Sequence, residues 1–172
     1  MVNEKDASAK SEPFASNKDT SFRTRLLVAD IFVPITAFFA IQGGIPFLVF
    51  VGVVVCVATW EFWRIFHRGG YSPSLIVMLF FSAAIVLMRY FWGLQHLEYW
   101  LGALLLVSMF VHIVKQQKGD AQAGSNLALT VLAPIYIGFL GSYALSIRYL
   151  EHGLLWAMLV FPIISIADSG AY

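Results

Sequence analysis

The chain has 172 residues, of which 59% are hydrophobic and only 12% are charged. A water-soluble domain is typically ~45–50% apolar and ~25% charged, so this chain has too few polar side chains to cover a soluble globule. The composition therefore predicts an all-α integral membrane protein, and a formal net charge of +1 gives no indication of a nucleic-acid partner.

The first 22 residues differ sharply in composition from the rest of the chain. Residues 1–22 are polar, mixed in charge and poor in branched apolar side chains, which is typical of a disordered tail. They do not resemble a secretory signal peptide, because no short basic start leads directly into an apolar stretch. We therefore predict a disordered cytoplasmic tail over 1–22 and a polytopic membrane domain over 23–172.

The apolar segments that follow predict about six membrane-spanning helices. A bilayer core takes ~20 helical residues, so the apolar run over 26–62 is long enough for two spans. The turn QGGIP, residues 42–46, separates them, because glycine ends a helix easily and proline starts one well. The same reasoning along the whole chain gives spans over about 26–42, 46–62, 74–92, 98–114, 126–147 and 153–167.

Lysine and arginine are distributed unequally between the two sides of the predicted bundle. The tail with Arg23 and Arg25, together with the loops over 63–73 and 115–125, carries all of the eleven basic residues except two. Cytoplasmic loops are enriched in basic residues, so this asymmetry predicts a cytoplasmic N-terminus. With six spans, the last residues of the chain also lie on the cytoplasmic side.

The fifth predicted span contains a proline and two small residues that affect helix shape and packing. Pro134 predicts either a tolerated kink or a helix broken around a cavity. Gly138 and Ser142 are small residues four positions apart, a spacing that is typical of close helix packing in membranes. The histidines of the chain lie at or near span ends without the spacing of metal ligands, so ordinary interfacial positions are expected for them.

Charged residues near the predicted cytoplasmic ends of spans are functional candidates, because charge in a membrane is costly. Arg23 and Arg25, in the sequence RTRLL, are positioned either to anchor the first span or to hold a lipid phosphate. The candidate acids are Asp30, Glu61, Asp120 and Asp168.

The sequence DSGAY, residues 168–172, follows the last predicted span. Asp168 could ligate Mg²⁺, which prefers carboxylate and phosphate oxygens. Ser169 adds a hydroxyl, and Gly170 would let a backbone amide approach a phosphate closely. Tyr172 could stack on a base or lie at the membrane interface. The alternative is an ordinary polar helix end, and the residues alone leave both interpretations open.

Four motifs, in this order, make the sequence resemble the N-terminal portion of bacterial phosphatidate cytidylyltransferases, also called CDP-diglyceride synthases. The motifs are RTRLL at 23–27, GGIPF at 43–47, WEFWR at 60–64 and ADSGAY at 167–172. The similarity extends over about 22–172, which is nearly the whole chain.

The resemblance implies an activity and a set of site residues. It implies transfer of cytidylyl from CTP to phosphatidic acid with Mg²⁺ as cofactor, at the cytoplasmic face of the cell inner membrane, among membrane lipids. A homodimer is left open. The residues it implies are Asp168 as catalytic and metal-binding residue, with Ser169, Gly170 and Tyr172 beside it as substrate-binding residues. Arg23 and Arg25 are substrate-binding candidates because of their position before the first span.

The chain departs from the family pattern at its end. Family members continue after this motif with a Lys-rich segment and a C-terminal signature that carries most of their catalytic and metal-binding residues. The chain ends at Tyr172, so we expect the membrane domain over 23–172 to be incomplete and inactive by itself. Two other functions are also considered, a non-catalytic membrane scaffold or transporter subunit, and a related CTP-dependent lipid or prenol kinase.

Overall fold

The structure is a computed structural model that describes residues 34–170, with side chains described for 34–160 and 163. The predicted tail over 1–22 lies outside the described residues. Over the described part the backbone forms helices and no strand, which confirms the all-α class.

The described helices follow one another with short connections. Residues 34–42 form α1. The further helices are α2 (Gly44–Arg68), α3 (Leu75–Trp92), α4 (Leu97–Gln117), α5 (Ala123–Ala133), α6 (Leu140–Arg148) and α7 (Gly153–Gly170). A π-helical segment, Pro134–Phe139, joins α5 to α6 without a break.

Four helical stretches among the described residues are long and apolar enough to cross a membrane. They are α2, α3, α4 and the continuous stretch Ala123–Arg148, and they correspond to the second to fifth predicted spans. Most of the first predicted span lies outside the described residues. The region of the sixth is helical as α7 but is not one of the four. The structure therefore shows a multi-pass helical membrane protein, and the count of six stays a prediction.

One predicted loop is shorter than expected because the helix before it continues. The predicted loop over 63–73 is helical as far as Arg68, and the chain leaves the helix only at Gly69 and Gly70. The indole nitrogen of Trp63 donates a hydrogen bond to the carbonyl of Pro73 at 3.2 Å, which packs this last part of α2 against its own loop. The span was predicted to end before the charged residues of this loop. The helix instead continues past them and ends at the Gly69–Gly70 pair.

The predicted turn between the first two spans is confirmed. Gly43 and Gly44 have φ angles of +61° and +55°, which residues with a Cβ rarely adopt. The backbone N–H of Gly43 donates to the carbonyl of Phe39 at 3.0 Å and closes the end of α1. Arg148 fastens this turn to the end of α6, because its Nε donates to the carbonyl of Ala40 at 2.8 Å.

Two clusters of buried apolar side chains hold the described helices together, and α3 contributes to both. The larger cluster joins α1, α2, α3, α6 and α7 through Ala40, Phe47, Leu48, Val51, Val55, Val86, Leu145 and Ala157. The smaller joins α3 to α4 through Val77, Phe81 and Leu104. Large apolar side chains such as Phe80, Leu106 and Phe110 are exposed, as expected for surfaces that face lipid.

The π-helical segment shows how the fifth span accommodates its proline. Pro134 has no N–H to donate to the carbonyl of Thr130, and from this residue to Phe139 the helix widens to π-type turns instead of ending. The helix is therefore continuous rather than broken. Gly138 packs so closely on α3 that an added Cβ would lie 2.9 Å from Cα of Ser82, and Ser142 is buried one turn later. The predicted close packing at Gly138 and Ser142 is confirmed.

Candidate functional site

The predicted site residues fall in or beyond the last turn of α7. The backbone of Asp168, Ser169 and Gly170 is helical, so these residues belong to the helix rather than to a turn after residue 167. Their side chains, and the residues Arg23, Arg25 and Tyr172, lie outside the described part of the chain. The grouping of these residues into one site therefore stays a prediction.

The residue at which α7 begins shows at which end of the bundle the helix starts. The helix begins at Gly153, directly after the end of the bundle that carries Arg148, which we call the Arg148 end. Its 18 residues span about 27 Å at 1.5 Å per residue. That length is sufficient to carry the backbone of Asp168 to the level of the opposite loops, over 69–74 and 118–122.

Those two loops are joined by a polar cluster that sequence reasoning missed. We call Ser72, Asp120 and Asn126 the loop clamp. Oδ1 of Asn126 accepts a hydrogen bond from the backbone N–H of Ser72 at 2.8 Å. Its Nδ2 donates to Oγ of Ser72 at 3.0 Å and to Oδ2 of Asp120 at 2.9 Å. One amide side chain, only 1% exposed, therefore connects the α2–α3 loop to the α4–α5 loop.

Asp120 is a structural member of this clamp. Its Oδ1 accepts a hydrogen bond from the backbone N–H of Gln122 at 2.9 Å, just before α5 begins. This bond, followed by the one from Asn126, lowers the pKa of Asp120 below its usual value. The carboxylate is thus charged at neutral pH, and it is hydrogen-bonded by Gln122, Asn126 and Ser72. Its bond to the N–H two residues further on is that of an Asx turn before the helix.

A second row of polar groups lies behind the clamp. Oγ1 of Thr130 accepts from the backbone N–H of Ser74 at 3.0 Å and contacts the carbonyl of Asn126 at 2.7 Å. His112 is buried, and its Nδ1 donates to the carbonyl of Ser108 at 2.9 Å. The interfacial position expected for this histidine is therefore wrong. Its Nε2 lies 3.4 Å from Oγ1 of Thr130, so it belongs to the same network.

A basic residue, Lys115, also binds the loop that contains Ser72. Nζ of Lys115 donates to the carbonyl of Ser72 at 2.8 Å. The polar atoms around the clamp are thus occupied largely by one another, and the arrangement is suited to holding two loops together. One sequence feature could have indicated this cluster. Asn126 and Thr130 are polar residues four positions apart in an apolar segment, so they share one face of a helix. In the structure they bind Ser72 and Ser74, respectively.

Comparison with protein-family models gives a match to the cytidylyltransferase family over residues 23–172. The chain belongs to the cytidylyltransferase family. The match covers the described helices and both outer motifs, RTRLL and ADSGAY, and it confirms the resemblance seen in the sequence. No curated protein and no solved structure matches the chain.

Membership of the cytidylyltransferase family supports a CTP-dependent transfer in general, and CTP as a substrate. The predicted Mg²⁺ would then depend on Asp168. Among the side chains that the structure describes, no group of three or more His, Cys, Asp or Glu residues is arranged to hold a metal ion. A single carboxylate is nevertheless compatible with Mg²⁺, which is usually held by one or two carboxylates together with substrate phosphates and water.

Proposed function

We propose that this protein transfers the cytidylyl group of CTP to phosphatidic acid, giving CDP-diacylglycerol and pyrophosphate for phospholipid biosynthesis. The observation that carries the proposal is the family match over 23–172, which includes the acidic motif ADSGAY at the end of α7. The lipid substrate fits a multi-pass membrane protein, because phosphatidic acid presents its phosphate at the level where membrane helices end.

The proposed reaction is an in-line displacement at phosphorus. A phosphate oxygen of phosphatidic acid forms a bond to the α-phosphorus of CTP. The bond from that phosphorus to the bridging oxygen of the β-phosphate breaks, and pyrophosphate leaves with the electron pair. Mg²⁺, when bound, would neutralise charge on the triphosphate and the leaving group. In this proposal Asp168 holds the ion, and Ser169, Gly170 and Tyr172 contact the nucleotide.

In this proposal Arg23 and Arg25 bind the phosphate of the lipid substrate. Both precede the first predicted span, where cationic side chains attract anionic headgroups. Homodimer formation stays a prediction.

The fate of the label from CTP distinguishes this proposal from the alternatives. Membranes from cells expressing the full reading frame are given phosphatidic acid and CTP labelled at the α- or the γ-phosphate. Cytidylyl transfer places the α label in lipid and the γ label in pyrophosphate. A CTP-dependent lipid kinase would place the γ label in lipid. A scaffold or transporter subunit would place neither there, so either of these patterns contradicts the proposal. Membranes lacking the protein are the control.

We also propose six spans, with the N-terminus and the active face at the cytoplasmic side of the inner membrane. The basis is the placement of lysine and arginine. In a variant without Cys56, a cysteine at Lys118 should react with a membrane-impermeant maleimide only after the cytoplasmic side is exposed. A cysteine at Glu151 should react in intact spheroplasts. Both positions are exposed in short loops outside the loop clamp. The reversed pattern would contradict the orientation.

A further inference from the structure

Arg89 is a buried cation within a membrane-spanning helix, one turn before the end of α3. The residue is only 6% exposed. Its Nε donates a hydrogen bond to Oγ of Ser142 at 3.2 Å. The guanidinium carbon lies 4.2 Å from the ring centre of Tyr143 and 5.4 Å from that of Phe139. Its Nη2 is buried and has no hydrogen-bond partner among the side chains and backbone that the structure describes.

These contacts leave the charge of Arg89 without a counter-ion among the described residues. The guanidinium has five N–H donors, whereas one hydroxyl and two aromatic faces satisfy only part of them. No described carboxylate forms an ion pair with it. A buried, unpaired charge is strongly unfavourable, and charged residues inside membrane spans generally mark a functional contact.

The depth of Arg89 indicates which anion is within reach. Arg89 is three residues before Trp92, the last residue of α3, so it lies about 4.5 Å along the helix axis from that end. Phe91 and Trp92 are exposed there, as is typical of the interface between hydrocarbon and headgroups. The phosphates of the bilayer are therefore the nearest abundant anions to this side chain.

An aromatic side chain at the protein surface, that of Tyr143, packs over Arg89. Tyr143 stacks on the guanidinium and is 39% exposed, so it separates the cation from the outside of the bundle. A headgroup would reach the guanidinium by rotation of this one ring, and the bond from Nε to Oγ of Ser142 would be kept. Guanidinium is well suited to such a contact, because it binds phosphate oxygens with two parallel hydrogen bonds.

We propose that Arg89 binds the phosphodiester of a membrane phospholipid in the leaflet at the Arg148 end of the bundle. This lipid is distinct from the proposed substrate. Asp168 lies in the last turn of α7, whereas the Arg148 end is where α7 starts. The site therefore adds a lipid contact that is separate from the transfer reaction.

The test is binding of phospholipid to the purified protein in detergent. Wild type, Arg89→Gln and the matched control Arg148→Gln are titrated with phosphatidylglycerol and followed by native mass spectrometry. We expect Arg89→Gln to bind roughly tenfold or more weakly, the loss expected for hydrogen bonds to a charged group. We expect Arg148→Gln to stay within about twofold of wild type, because its guanidinium already donates to the Ala40 carbonyl.

Two further ligands identify the chemistry that is recognised. Diacylglycerol, which lacks the phosphate, should show no binding that depends on Arg89. Inorganic phosphate should not displace the phospholipid at millimolar concentration. Equal binding by wild type and Arg89→Gln, equal losses in both variants, or binding of free phosphate in place of the lipid would each overturn the proposal.

A measurement on the unaltered side chain covers the case in which Arg89→Gln does not fold. Wild type with ¹⁵N-labelled arginine is placed in phosphatidylglycerol vesicles. Solid-state NMR should detect dipolar coupling between a guanidinium nitrogen and lipid ³¹P, and Arg89→Lys should remove that signal. A spectrum that is the same in both samples, or that shows no such coupling, would overturn the proposal.

Discussion

Replacement of Asp168 by asparagine should lower CTP-dependent formation of CDP-diacylglycerol by ~10²–10³-fold, the loss typical of removing one electrostatic stabiliser of a transition state. The change keeps the size of the side chain and removes its charge. If Asp168 holds Mg²⁺ against the triphosphate, both metal binding and stabilisation of the leaving pyrophosphate are weakened. The measurement is turnover of α-labelled CTP into lipid by membranes with equal amounts of each variant.

Glu98→Gln is the matched control for this substitution. Glu98 is an exposed carboxylate in the first turn of α4, next to the connection from α3 and away from the loop clamp. It should retain wild-type turnover. Wild-type turnover in Asp168→Asn would instead remove Asp168 from the site, because Asn and Asp are nearly equivalent in polar helix ends.

The largest expected loss of stability follows from Asn126→Leu, which removes the centre of the loop clamp. The N–H of Ser72 and the carboxylate of Asp120 would lose a hydrogen-bond partner at a nearly inaccessible side chain. We expect the free energy of unfolding to fall by about 1–3 kcal/mol, the usual cost of leaving such groups unsatisfied. Thermal unfolding in detergent should show this as a lower midpoint.

Gln122→Leu is the control that shows how much a leucine introduced in this region changes the free energy of unfolding by itself. The side chain of Gln122 is exposed in the same region, and its backbone N–H still binds Asp120 after the change. Its unfolding free energy should stay within about 0.5 kcal/mol of wild type. If Asn126→Leu behaves like Gln122→Leu, the loop clamp does not contribute measurably to stability.

The effect of Asn126→Leu should also depend on pH. The folded-state pKa of Asp120 is lowered, so its charged form contributes stability above the unfolded pKa, and this contribution is lost as pH falls through the folded pKa. Asn126 is one cause of that lowering. The difference in stability between wild type and Asn126→Leu should therefore narrow in acid, and a constant difference would assign the loss to the Ser72 bond alone.

The parts of the fold that depend on local properties were predictable from the sequence. Span length follows from runs of apolar residues, and the turn at Gly43 and Gly44 follows from backbone angles that glycine adopts easily. The loop clamp was not predictable in this way. Ser72 and Asn126 are 54 positions apart, and only the packing of α3, α4 and α5 brings them together. In the candidate site, the predicted span ended at residue 167, whereas the helix continues through Asp168 to Gly170, because polar residues do not by themselves end a helix. The roles of Asp168 and its neighbours stay predictions.

The π-helical segment Pro134–Phe139 has a consequence for how the fifth span tolerates changes in length. A π-type turn holds one more residue than an α-helical turn, and each residue advances the helix by about 100°. The wider turn absorbs this extra residue, so Asn126, which binds the loop residues, and Ser142, which binds Arg89, keep the relative orientation that a regular α-helix one residue shorter would give them. Deletion of one residue within Pro134–Phe139 should therefore be accommodated by loss of the π-type turn, with both side chains still directed at their partners. Insertion of a residue elsewhere in the span would instead rotate one of its ends by about 100°, so the span should tolerate loss of a residue at this segment better than gain of one.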